Sequence, residues 1–115
     1  PDVMIVCDRK HLKGGSYTGT PRFIVETLSP ATALRDMTVK KEIYQNAGVS
    51  EYWIVSSKER AVQIYYLEAG KYELKYSYIL QDDPEENHYN AHTVITLRDF
   101  SNISMTLAEM FENVE

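Results

Sequence analysis

The chain has 115 residues and a mass of 13.3 kDa, with 43% hydrophobic, 25% charged and 11% aromatic residues. That fits one packed domain and excludes both a second independent core and a disordered tail. Net charge is −5, which disfavours a polyanionic partner at face value, but residues 9–41 carry seven Lys and Arg against Glu26 and Asp36. A basic stretch in an acidic chain either lines a phosphate-binding surface or is a solvated loop.

The longest wholly apolar run covers residues 3–7, far short of the roughly 20 residues a membrane-spanning helix needs. No signal-type stretch opens the chain, and one cysteine, Cys7, forms neither an internal disulfide nor a thiolate zinc site. A cytoplasmic protein without membrane contact is expected. The chain opens on Pro1 and Asp2 without a methionine and runs straight into strand-like residues, as a piece of a longer protein would.

Residues 2–8 read as a strand buried on both faces, with Val3, Ile5 and Cys7 on one side and Met4 and Val6 on the other. Residues 9–21 have loop composition and connect it antiparallel to a second strand at 22–28. Pro30 stops that strand. A helix then opens between Ser29 and Thr32, either of which can cap it, and ends at Gly48. Residues 51–56 and 61–67 form a hairpin around a turn at 57–60, and residues 71–80 add a strand after Ala69-Gly70. Residues 81–91 are an acidic loop, and 92–97 resume a β pattern. Ser104 precedes Leu107, Met110 and Phe111 at helical spacing, so it is expected to cap a short terminal helix.

Three groups stand out. Glu26 sits between Ile24 and Leu28 on one strand face, and Asp2 shares a face with Met4. Symmetric pairing about the 9–21 loop sets Asp2 opposite Leu28 and Met4 opposite Glu26. Asp2 and Glu26 are then diagonal neighbours at roughly 7–8 Å, close enough to grip one cation. Asp8 lies roughly 20 Å further along the strand and is excluded from that site. On the helix, Lys40 falls within the arc of Leu34, Met37, Tyr44 and Ala47, with Lys41 at its edge. An inward lysine needs a charged partner, which the carboxylates would supply; pairing with Asp36 or snorkelling to water is the plainer alternative. A hard cation such as Mg²⁺ takes one or two carboxylates and keeps several waters, the Thr27 carbonyl offering a further ligand, while lysine orients or deprotonates the attacking water.

The segments Pro1-Asp2-Val3, Phe23-Ile24-Val25-Glu26-Thr27-Leu28-Ser29-Pro30-Ala31-Thr32 and Gly48-Val49-Ser50-Glu51-Tyr52-Trp53-Ile54-Val55, with Asp36, Lys40 and Tyr44 between them, resemble the Uma-two family of restriction-type endonucleases. That family is a branch of the PD-(D/E)XK nuclease superfamily. The resemblance covers nearly the whole chain and implies a restriction-endonuclease-like α/β fold, a mixed sheet flanked by helices. It also implies DNA as substrate and Mg²⁺, or Mn²⁺ in its place, bound by Asp2 and Glu26. The superfamily places its lysine two residues after the glutamate, where this chain has Leu28; in the family it moves to the helix, at Lys40. The family region before the Pro-Asp motif has no counterpart in this sequence.

A metal-dependent endonuclease is therefore the leading expectation. The alternatives are a non-catalytic binding or dimerisation module on a degenerate nuclease scaffold and, less strongly, a hydrolase of small phosphoesters. A row formed by Tyr65, Tyr66, Tyr72, Tyr76 and Tyr78 would suit a homodimer interface if exposed. His11, His88 and His92 read as surface residues, Trp53 and Phe100 as core, and Cys7 as a buried hydrophobe.

Overall fold

The computed structural model describes residues 3–5, 12–13, 16–17, 20–28 and 34–112, with side chains at 20–28 and 37–112. In chain order the elements are β1 (Val3–Ile5), β2 (Leu12–Lys13), β3 (Ser16–Tyr17), β4 (Phe23–Leu28), α1 (Leu34–Ala47), β5 (Glu51–Ser56), β6 (Ala61–Glu68), β7 (Lys71–Ile79), β8 (Val94–Leu97), β9 (Phe100–Thr106) and α2 (Leu107–Met110). Five strands make one mixed sheet in the order β1-β4-β5-β6-β7. Only the β4–β5 step is parallel among these pairs, and α1 is the crossover that a parallel step requires. The expected α/β class, a mixed sheet with flanking helices, is what the chain adopts.

The central strands are apolar on both sides because both sides are covered. Ile24, Val49 and Tyr52 form a buried cluster with Tyr44 of α1, Ile54, Tyr65 and Tyr72. On the opposite face Phe23, Trp53, Val62 and Ile64 pack with Ile95, Leu97, Leu107 and Phe111, so the β8–β9 hairpin and α2 close that side. The Phe23 and Trp53 rings meet edge to face at 5.1 Å, a preferred aromatic geometry.

The helix ends where glycine permits it. Gly48 has φ +85°, and the amides of Gly48 and Val49 return to the carbonyls of Gln45 and Tyr44. The β6–β7 turn likewise uses positive φ at Ala69 and Gly70, as a two-residue hairpin demands. The expected helix caps Ser29 and Thr32 lie outside the described residues, as do Cys7 and His11.

Three expectations change. β1 pairs Val3 with Val25, Met4 with Ile24 and Ile5 with Phe23, so Met4 does not face Glu26. The shift is two residues, which preserves the alternation of faces and is therefore invisible to periodicity. Ser104 does not cap the last helix; it pairs with Thr96 inside β9. The cap is Thr106, whose hydroxyl accepts from the Glu109 amide at 3.1 Å while the Glu109 carboxylate accepts from the Thr106 amide at 3.0 Å.

The tyrosines do not form one row. The β6–β7 register slips between Ile64 and Tyr65, where Lys75 has no partner across the ladder. A one-residue bulge reverses which face later residues occupy. Tyr72 and Tyr78 consequently fall on opposite faces: Tyr72 joins Tyr65 in the cluster under α1, whereas Tyr78 packs with Tyr66 on the core beneath β8–β9.

Glu51 ties that hairpin to the sheet. It is 1% exposed; its Oε2 accepts from Trp53 Nε1 at 2.7 Å and its Oε1 from the Arg98 amide at 2.8 Å. Burial holds its carboxyl above the ordinary glutamate range, against those two hydrogen bonds, which favour the charged form. A raised folded-state pKa means that the stability contributed is complete below the unfolded value and declines as pH rises through the folded one. Glu51→Ala should therefore cost on the order of 2 kcal/mol in urea unfolding, by stranding two donors. The loss should be larger at pH 4.5 than at pH 8.

Candidate metal centre

Glu26 occupies the middle of β4, beside Ile54 of β5, and points towards α1. It is 5% exposed. A carboxylate so placed is costly unless its oxygens are satisfied. The Tyr44 hydroxyl donates to Oε1 at 2.7 Å, and the Lys40 ammonium lies 3.4 Å from Oε2. Lys40 and Tyr44 are four residues apart, so consecutive turns of α1 present both to the carboxylate.

Lys40 is less inward than the helical arc implies. Its side chain is 46% exposed against 6% for Glu26, so the stem reaches in from the rim while the flank stays in water. Ala47, expected on the buried arc, is exposed, and Met37 is buried at 4%. Lys41, at the arc's edge, sets its ammonium 4.1 Å from the centre of the Tyr65 ring, a cation–π contact. The two neighbouring lysines thus have different tasks, one on a carboxylate and one on an aromatic face.

Asp2 lies outside the described residues. Its chain neighbour Val3 pairs with Val25, the chain neighbour of Glu26. Thr27 pairs with Val55, and its side chain lies on the far face, in the lining of an apolar cavity of about 320 Å³ with Phe23, Val25, Trp53, Met110 and Phe111. Of the basic stretch, the side chains of Arg22, Lys40 and Lys41 are described, and Arg22 is 57% exposed and stands 3.7 Å from Asp99. Among the described residues no group of three or more His, Cys, Asp or Glu gathers to hold a metal. His88 and His92 are exposed, as expected.

The Tyr44 hydrogen bond was readable as spacing, since Tyr44 follows Lys40 by one turn. The closeness of Tyr52 to Glu26 and the burial of Glu51 had no such signal, because both depend on strand register.

Residues 1–102 match the Uma2 family, described as "Putative restriction endonuclease". The match covers most of the chain, and the chain belongs to this family. Over 67 residues it is 33% identical to an uncharacterized protein, slr1290, of Synechocystis sp., covering 57% of this chain and 35% of that one. Its fold resembles the crystal structure of a putative nuclease belonging to DUF820 from Anabaena variabilis, with a TM-score of 0.60 and 14% identity over 90% of this chain and 51% of that one. The chain therefore spans about half the length of the solved relative and about a third of the curated one. No helix among the described residues is long and apolar enough to cross a membrane.

Because Lys40 is half exposed, solvent screens its attraction to Glu26 and its share of folding stability is small. Lys40→Ala should lower unfolding free energy by no more than about 1 kcal/mol in urea denaturation.

Proposed function

We propose that this domain is the core of a metal-dependent endonuclease hydrolysing phosphodiester bonds in DNA. Asp2 and Glu26 hold Mg²⁺, or Mn²⁺ in its place, with the Thr27 carbonyl as a further ligand. The observation that carries the reading is a buried carboxylate, Glu26, held by a tyrosine and by a lysine whose flank is open to solvent. The pairing of Val3 with Val25 supports Asp2 as the second carboxylate, since Asp2 is bonded to the one and Glu26 to the other.

The donor set fits a hard cation. Oxygen ligands from one or two carboxylates suit Mg²⁺, which keeps most of its waters, and the described residues clustered on this face include neither thiolate nor imidazole. When bound, such a cation neutralises charge developing on the phosphodiester.

The protein's own groups do the rest. Tyr44 fixes the rotation of the Glu26 carboxylate in the metal-free domain by holding one oxygen. Lys40 reaches the rim of the site, where it orients or deprotonates the attacking water. The wall of Ile24, Tyr52 and Ile54 keeps water from the other side of the carboxylate.

Calorimetric titration of Mn²⁺ tests the reading. Binding by the wild-type domain should fall at least tenfold in Glu26→Ala. A folded wild type that binds no Mn²⁺ would instead favour a binding or dimerisation module on the same scaffold. In a DNA-cleavage assay, Lys40→Ala should slow turnover by about 100-fold or more, the scale of a lost proton-handling group, with little change in Mn²⁺ affinity.

A further inference from the structure

Four tyrosines crowd between α1 and the sheet. Tyr52 lies 5.3 Å from the Tyr44 ring, 5.7 Å from Tyr72 and 6.3 Å from Tyr65, measured between ring centres. Three of the hydroxyls have acceptors. Tyr44 donates to Glu26 Oε1 at 2.7 Å, Tyr72 to the Val49 carbonyl at 2.8 Å and Tyr65 to Gln63 Oε1 at 3.2 Å.

Tyr52 differs. It is 0% exposed, and its hydroxyl is the one buried side-chain polar atom among the described residues without a hydrogen-bond partner. A buried donor left unmade costs stability, and phenylalanine would fill the same volume without that cost. The hydroxyl therefore calls for an explanation beyond packing.

Its position supplies one. Tyr52 pairs with Ile24, and Glu26 is the next residue of β4 on the same face. The Glu26 charge reaches the phenol: after burial, it is the strongest influence opposing ionisation of Tyr52. Tyr52 is thus a neutral O–H, close to Glu26 and bonded to nothing else.

A cation approaching Glu26 competes for lone pairs with donors that already hold the oxygens, Tyr44 and Lys40 among them. Release of one donor is costly unless another stands ready, because hydrogen bonds to a charged group are the stronger kind. We propose that Tyr44 and Tyr52 are alternative donors to Glu26, Tyr44 holding the carboxylate in the metal-free domain and Tyr52 holding it once it turns to a divalent cation. Tyr52 is then a positioning residue. The inference rests on the reading of Glu26 as a metal ligand and adds to it a two-position carboxylate.

Melting curves in EDTA and Mn²⁺ calorimetry on the wild type, Tyr52→Phe, Tyr44→Phe and Glu26→Ala test it. Tyr52→Phe keeps the ring, so its metal-free melting temperature should be unchanged or higher, while Mn²⁺ affinity falls about tenfold, the share of a hydrogen bond to a charged group. Tyr44→Phe should do the reverse, melting lower without metal and binding Mn²⁺ as tightly as wild type or more so. A lower metal-free melting temperature for Tyr52→Phe would mean the hydroxyl is bonded in the resting state, for example by a buried water, and would overturn the proposal. So would unchanged Mn²⁺ affinity in Tyr52→Phe where Glu26→Ala abolishes binding, which leaves the metal reading intact. Absent binding in the wild type, or equal binding in Glu26→Ala, would remove the metal reading and this inference with it.

Discussion

The site depends on a charge taken out of water. Glu26 is nearly inaccessible in the middle of a sheet, and such a carboxylate persists only if its oxygens are given donors. α1 supplies them, from Lys40 and Tyr44 on consecutive turns. The same helix is the crossover that makes β4 and β5 parallel. The element that sets sheet topology therefore also sets the chemistry of its buried acid, and neither can shift without the other.

A second buried carboxylate shows why Glu26, and not any buried acid, is the candidate. Both oxygens of Glu51 are closed off by donors that have nowhere else to go, the Trp53 indole and the Arg98 amide, on the face beneath the β8–β9 hairpin. That arrangement is a clamp between layers. Glu26 instead meets a long, half-exposed lysine, whose hold on it is screened by solvent. Two glutamates of similar burial thus differ in their partners: an indole and a backbone amide for Glu51, a phenol and a half-exposed lysine for Glu26.

Family membership narrows what this arrangement is for without repeating it. The chain belongs to the Uma2 family, and its fold is shared with a protein of Anabaena variabilis only 14% identical to it. At that distance the likeness speaks to backbone architecture alone. The functional argument is carried by side chains of this protein: a carboxylate, a lysine and a tyrosine brought together from strand and helix.

Much of this was legible in the residues themselves. Alternating apolar side chains marked β4, β5, β6 and β7, a glycine after a periodic stretch marked the end of α1, and the spacing of Lys40 and Tyr44 put both on one side of it. These are local properties, governed by periods of 2 and 3.6 residues and by allowed backbone angles. Four features came only with the tertiary structure: the two-residue shift of β1 on β4, the bulge that sends Tyr72 and Tyr78 to opposite faces, the strand that moves the last cap from Ser104 to Thr106, and the unpartnered hydroxyl of Tyr52. Each is settled by pairing or packing between segments distant in the chain. A register shift of two conserves every local pattern, and a hydroxyl's partners are known only once the neighbouring strand and helix are in place.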